Sequence, residues 1–167
     1  MLQFGKMSKC CCFSLAGGCI SAIIFHIILC ITQIFSEEDN KIWIIVSSSV
    51  LAVLIILGLA LKNYIIMIIV SIFAAIFACS SIITLIFIII SLFKKDQYNI
   101  ETKVLAIIST SIIIIIIILY FNIYLSTSRV FKVGGTGWEY KNYIQIEEEK
   151  AEKDKEAEPE HSGDYKA

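Results

Sequence analysis

Four long stretches without Asp, Glu, Lys or Arg dominate this 167-residue chain, at residues 13–35, 42–61, 64–93 and 104–125. Each is long enough for an α-helix to cross the hydrocarbon core of a bilayer, which is about 30 Å thick. The stretches lack the in-and-out alternation of barrel strands, and only helices and closed barrels satisfy every backbone amide inside lipid. The sequence therefore predicts an all-α integral membrane protein, a four-helix bundle with short loops.

Almost all the charge of the chain lies in two short loops and at the two ends, although the mean hydropathy is +0.81 and the net charge −1. We therefore divide the chain into an N-terminal segment over 1–12, a transmembrane domain over 13–128 and a C-terminal tail over 129–167. The end of the tail is rich in Glu and Lys and holds too little apolar surface to fold alone. This composition predicts a disordered acidic tail, and the alternative is a frayed helix held by pairs such as Glu149–Lys153.

The basic residues next to the predicted spans indicate the topology. Six lie on the side of the two termini and four on the other side, so the positive-inside rule favours cytoplasmic N- and C-termini. The six are Lys6, Lys9, Lys62, Arg129, Lys132 and Lys141, and the four are Lys41, Lys94, Lys95 and Lys103.

One histidine lies within a span and predicts a polar layer in the membrane. Counted at 1.5 Å per residue from the span ends, His26 and three hydroxyl-rich runs that contain Ser48, Ser80 and Thr110 fall at a depth of about 20 Å. An ionisable residue at such a depth is a functional hypothesis by default, here a proton- or cation-sensing centre. The alternative is a neutral imidazole that bonds to the hydroxyls and holds the helices together.

Three adjacent cysteines precede the first span. Cys10, Cys11 and Cys12 follow Lys9 at the predicted cytoplasmic mouth of the helix, where membrane acyltransferases reach a thiol, so we predict palmitoylation. The alternative is that they are simply small apolar residues at a helix start. Their contiguous spacing lacks a second ligand pair and does not favour zinc.

The tail carries a short motif, Tyr143-Ile144-Gln145-Ile146. It fits the pattern of a tyrosine and a bulky apolar residue by which clathrin adaptors capture extended cytosolic tails. Tyr143 and Ile146 would be the two anchors of such a sorting motif. The alternative is a chance match, since the pattern is short and common.

The N-terminal stretch resembles a known family. The run Lys9-Cys10-Cys11-Cys12-Phe13-Ser14-Leu15, with Gly18-Cys19 after it and four spans behind it, is similar to small insect proteins related to lysosome-associated four-transmembrane proteins. That resemblance implies a late endosomal or lysosomal protein without enzymatic activity. The vertebrate relatives recruit ubiquitin ligases through Pro-Pro-x-Tyr motifs, whereas the single proline here, Pro159, precedes Glu160.

These observations favour a non-enzymatic trafficking or regulatory adaptor of endosomal or lysosomal membranes, with the plasma membrane as the alternative location. A small channel or transporter that uses the polar layer around His26 is the second hypothesis. An intramembrane enzyme comes third, because the chain has no paired carboxylates and no nucleophile–base spacing. We expect no cofactor and no metal. The expected partners are the lipid bilayer, clathrin adaptors and other membrane proteins, and not nucleic acid.

Overall fold

Within the residues that the structure describes, the chain forms four long helices, a shorter fifth helix and a small N-terminal hairpin. A computed structural model describes residues 5–10, 13–35, 41–93 and 100–157. The strands are β1 (Lys9–Cys10) and β2 (Phe13–Ser14), and the helices are α1 (Leu15–Ile34), α2 (Lys41–Ala60), α3 (Tyr64–Leu92), α4 (Ile100–Lys132) and α5 (Tyr143–Ala157).

Helices α1 to α4 are long and apolar enough to cross a membrane. Each packs against the next in sequence, and α4 also packs against α1, so the four form a closed bundle. Large apolar side chains are exposed along all four helices, as expected where the surrounding solvent is lipid. The predicted all-α membrane architecture is confirmed, although α4 extends beyond both ends of the predicted segment 104–125.

Local sequence signals explain where two of the spans begin. Ser14 ends β2 and caps α1, since its Oγ accepts from the Gly17 amide at 3.2 Å. Asn63 caps α3 by accepting from the amides of Ile65 and Ile66. Each cap satisfies amides that have no partner within their own helix.

The turn between α2 and α3 is short, and glycine allows the two helices to approach closely. A Cβ on Gly58 would lie 2.7 Å from the Met67 sulfur, which is closer than real Cβ contacts. Small residues permit this kind of approach between helices in lipid. The hairpin of α2 and α3 therefore packs tightly beside its turn.

The well-packed core occupies only one half of the bundle, the half that carries both termini and the α2–α3 turn. The buried residues of α1 end at Ala22, and those of α3 end at Ala74. The buried residues of α2 begin at Ser48, and most of those of α4 begin at Asn122. Because neighbouring helices run antiparallel, these segments lie at the same level. The opposite half is more loosely packed.

The described N-terminal residues fold back onto α4. The Gly5 amide donates to Asn122 Oδ1 at 2.7 Å, the Met7 amide donates to Ser126 Oγ at 3.3 Å, and Arg129 donates to the Gly5 carbonyl oxygen at 3.3 Å. Gly5 has φ +75, and a Cβ there would lie 2.6 Å from the Arg129 guanidinium carbon. Only glycine fits this position without displacing Arg129.

Residues 143–157 form α5, so the alternative of a helix, rather than disorder, applies to this part of the tail. The Asn142 side chain accepts from the amides of Ile144 and Gln145, and the Gln145 side chain accepts from the Asn142 amide at 2.9 Å. This reciprocal pair is a capping box. Ile146 is 8% exposed and packs on the end of α4, so burial adds to the local signal. Residues 158–167 lie outside the described part of the chain.

Candidate functional site

A cavity of about 390 Å³ lies between the helices, in the loosely packed half of the bundle. All four spanning helices contribute to its wall. The lining residues are Phe25, His26, Leu29, Gln33, Ile44, Ser47, Ser48, Leu51, Ala74, Phe77, Ser81, Ile113, Ile117, Tyr120 and Tyr124. Its size falls within the range of roughly 300–1,000 Å³ that small-molecule sites in proteins occupy.

Three buried polar atoms in this wall have no hydrogen-bond partner among the described residues. They are His26 Nδ1, Gln33 Oε1 and the Tyr124 hydroxyl. Tyr124 is the most buried of these three residues, since it is only 2% exposed. Buried polar groups are almost always paired, and each specific exception needs a physical reason. All three belong to residues that line one cavity, and each atom has almost no exposed surface, so a bound molecule would reach them after small side-chain rotations.

Aromatic rings hold the deep end of the cavity in shape. The Phe25 and Tyr120 rings lie 5.9 Å apart between α1 and α4, and Tyr120 stacks on Tyr124 with the ring centroids 6.1 Å apart. The His26 ring meets Phe25 edge-on at 6.1 Å. Aromatic contacts at such separations add to the packing energy of the rings. The wall that carries the Tyr124 hydroxyl and His26 is therefore fixed by ring packing.

Gln33 lies at the other end of the cavity, in the last turn of α1. The rise from Phe25 to Gln33 is about 12 Å at 1.5 Å per residue. The cavity is thus elongated along the helices, with polar side chains at both ends and apolar side chains such as Leu29 and Ile117 between them. This arrangement suits an elongated molecule that lies parallel to the helices.

The structure brings together part of the predicted polar layer. His26 and Ser48 line the cavity, and so do Ser47 and Ser81 from the predicted hydroxyl runs. His26 Nδ1 has no hydrogen-bond partner among the described residues, so the bond expected from the imidazole to a serine or threonine is not formed at this atom.

Ser80 and Thr110 lie elsewhere. The Ser80 hydroxyl donates to the Phe77 carbonyl oxygen at 2.9 Å within α3, and Ser80 lines a separate apolar groove beside Phe121 and Leu125 of α4. Thr110 is half-buried and lines neither of these two spaces. Side chains at equal depth on different helices therefore point in different directions, and the four residues do not form one ring.

The two predicted sorting residues lie in α5 rather than in an extended segment. Tyr143 is half-buried, and its ring centroid lies 5.5 Å from the Arg129 guanidinium carbon. Ile146 packs against Gly135, where an added Cβ would lie 2.7 Å from the Ile146 side chain. Lys150 donates to the Val133 carbonyl oxygen at the end of α4. Both anchors of the motif are therefore occupied in contacts with the bundle.

The predicted lipidation site is described only in part. Cys10 belongs to β1, which pairs with β2 so that Cys10 opposes Phe13. Cys11 and Cys12 lie outside the described residues. Within the described ranges, no cluster of His, Cys, Asp or Glu has the arrangement to hold a metal ion.

Comparison of the chain with protein-family models, with curated proteins and with solved structures found no match. The resemblance to proteins related to lysosome-associated four-transmembrane proteins therefore stays a prediction.

Sequence reasoning missed Gln33, Tyr120 and Tyr124 as site residues. Gln33 and Tyr124 fall within the predicted spans 13–35 and 104–125, and no motif distinguishes them from the rest of those spans. The available signal was spacing, since Tyr120 and Tyr124 are four residues apart and therefore share a helix face. Which face meets the cavity depends on how each helix is rotated about its axis by packing against the others, and a single sequence does not show that rotation.

Proposed function

We propose that this multi-pass membrane protein binds a small molecule inside its helix bundle. The observation that supports this proposal is that His26, Gln33 and Tyr124 all line one elongated cavity, and each carries a buried polar atom without a hydrogen-bond partner among the described residues. An apolar pocket with a few convergent polar groups is the usual form of a small-molecule site. Binding of this kind requires no catalytic residue.

A cavity-filling variant tests this proposal. In Ala74→Phe the phenyl ring would occupy space beside Leu51 and Tyr124. The matched control is Ala75→Phe, because Ala75 lies on the same helix but lines the outer groove. Native mass spectrometry of the protein, extracted in a mild detergent, measures retained small molecules.

We expect the unmodified protein and Ala75→Phe to retain a bound molecule and Ala74→Phe to lose it. Ser48→Leu fills the cavity from α2 and serves as a second variant if Ala74→Phe does not fold. Equal retention by the filled and unfilled proteins, or no retained molecule in the unmodified protein, would contradict the proposal.

A channel or transporter built on a polar layer has less support. Such a pathway needs polar groups that continue across the membrane, whereas Ser80 and Thr110 do not line the cavity that contains His26. The half of the bundle nearer the termini is closed by buried side chains such as Leu15, Ile55 and Met67. The cavity is therefore better suited to holding a molecule than to conducting one.

We further propose that the cellular role is that of a trafficking or regulatory adaptor of endosomal or lysosomal membranes, with both termini cytoplasmic. The tail motif and the resemblance of the N-terminal stretch support this role. The packing of Tyr143 and Ile146 adds a condition, because an adaptor that reads an extended tail needs α5 to unfold first. An isolated helix of 15 residues is marginal in water, so the contacts with α4 control this step.

Two variants separate exposure of the motif from its loss. Gly135→Ala should displace Ile146 and release α5 while the motif stays intact, because the added Cβ would lie 2.6 Å from Val130 and 2.7 Å from Ile146. The double change Tyr143→Ala and Ile146→Ala releases α5 and removes the motif. We expect the first variant to concentrate in endosomes and the second at the cell surface. An unchanged distribution of both proteins would contradict an adaptor signal at this place.

A further inference from the structure

The chemistry of the cavity wall restricts what can occupy it. None of the fifteen lining residues is Asp, Glu, Lys or Arg. An ion enclosed in such a wall would lack a counter-charge, which is costly at membrane depth. The wall therefore favours a neutral occupant over a permanently charged one.

The three unpaired atoms specify a further property. Gln33 Oε1 can only accept a hydrogen bond, the Tyr124 hydroxyl can donate or accept, and His26 Nδ1 does either according to its tautomer. A pure hydrocarbon would leave all three without a partner. A hydrogen-bond donor at one end of the cavity would satisfy Gln33, and a hydroxyl at the other end would pair with Tyr124 or His26.

The shape of the cavity distinguishes a lipid-like molecule from a column of water. Buried water needs two to four polar partners, but the wall between the two polar ends is made largely of apolar and aromatic side chains such as Leu29, Phe77 and Ile117. Those surfaces suit the apolar body of an amphiphile about as long as the cavity, roughly 12 Å along α1.

We infer that the occupant is a neutral lipid that carries a hydroxyl or another uncharged hydrogen-bond donor, and that Gln33 or Tyr124, which lie at opposite ends of the cavity, binds that group. This inference rests on the proposed function, since it assigns the chemistry of the molecule that the cavity binds. A lipid alcohol reaches such a site from the bilayer itself, without passing through water.

Three photoactivatable probes with the same alkyl chain test this chemistry. They are a long-chain alcohol, its methyl ether and the corresponding alkyl sulfate. The full-length protein is reconstituted in phosphatidylcholine vesicles, irradiated with each probe, and digested so that mass spectrometry locates the labelled residues. The ether keeps the oxygen but loses the donor, and the sulfate adds a permanent charge.

We expect the alcohol to label cavity-lining residues about tenfold more than the ether or the sulfate, because a site built to bond a hydroxyl rejects an analogue that lacks it. The single hydroxyl of the probe reaches only one end of the cavity. Either Tyr124→Phe, which removes one hydroxyl and keeps the ring, or Gln33→Met, which keeps a similar length, should therefore reduce labelling by the alcohol about tenfold. Tyr140→Phe is the matched control, because Tyr140 is exposed and outside the bundle.

The outcomes distinguish this inference from the proposed function. Equal labelling of the cavity by alcohol and ether, stronger labelling by the sulfate, or labelling insensitive to Tyr124→Phe and Gln33→Met would overturn the assigned chemistry and leave the cavity as a binding site. The assigned chemistry is also overturned, and the binding site kept, if no probe labels the cavity while Ala74→Phe still removes a retained molecule. It is likewise overturned if the retained molecule is water alone. If no probe labels the cavity and no molecule is retained, both proposals fail.

Discussion

Truncation of Ile146 should release the tail helix from the bundle. Ile146 is 8% exposed and packs on the end of α4 beyond the apolar spans, where water rather than lipid is the competing environment. Ile146→Ala removes three carbons, which at about 0.8 kcal/mol each weakens docking by roughly 2.4 kcal/mol. Since about 1.4 kcal/mol corresponds to a factor of ten, the undocked population should rise about 50-fold.

Amide hydrogen exchange of the protein in nanodiscs measures this population, because an undocked α5 loses its main support and exchanges through local unfolding. We expect faster exchange across α5 with unchanged exchange in α1 to α4. Ile144→Ala is the matched control, since Ile144 lies on the same helix but is only half-buried. Unchanged exchange in Ile146→Ala, or an equal acceleration in Ile144→Ala, would refute the reasoning.

Three further predictions concern the regions outside the cavity. Tags on both termini should be digested by protease outside sealed microsomes, because the basic residues favour cytoplasmic ends; protected tags would reverse the topology. Acyl exchange should give a mass shift that disappears when Cys10, Cys11 and Cys12 all become Ser, and an unchanged signal would exclude them as the acylated residues. Burial raises the pKa of Glu139, while hydrogen bonds from the Thr136 side chain and neighbouring amides lower it, and the balance leaves the pKa below its ordinary value. The contribution of this turn to stability is therefore present above the ordinary glutamate pKa and lost as the pH falls through the folded-state value. Thr136→Val removes the hydroxyl and keeps the backbone amide, so it should raise the carboxyl pKa in an NMR titration, and an unmoved pKa would show that the hydroxyl bond is not a cause of the lowering.

The four spanning helices could be predicted from sequence because a bilayer imposes a strong requirement on composition. A helix in lipid must be apolar over about 20 residues, and no other part of this chain meets that condition. Helix ends were less predictable. The polar residues from Asn122 to Ser128 resemble the end of a span, yet α4 continues to Lys132 because the N-terminal segment supplies Gly5 and Met7 as partners for Asn122 and Ser126. A contact between residues more than a hundred positions apart is not visible in a local pattern.

The tail shows a local signal that composition concealed. Asn142 and Gln145 have the spacing of a capping box, and Ile146 supplies the apolar contact, but the acidic residues after it favoured disorder. The opposite error occurred in the polar layer. Depth along each helix was sufficient to place His26 and Ser48 in the wall of one cavity. Rotation about the helix axis decides whether Ser80 and Thr110 meet them, and that rotation comes from the packing of all four helices.

A crystal structure of the protein grown from a lipidic phase tests the central claim most directly. We predict elongated non-protein density in the cavity, with a polar atom within hydrogen-bond distance of the Tyr124 hydroxyl or Gln33 Oε1. A collapsed cavity, in which the side chains of His26, Gln33 and Tyr124 bond to other protein groups instead, would contradict the account.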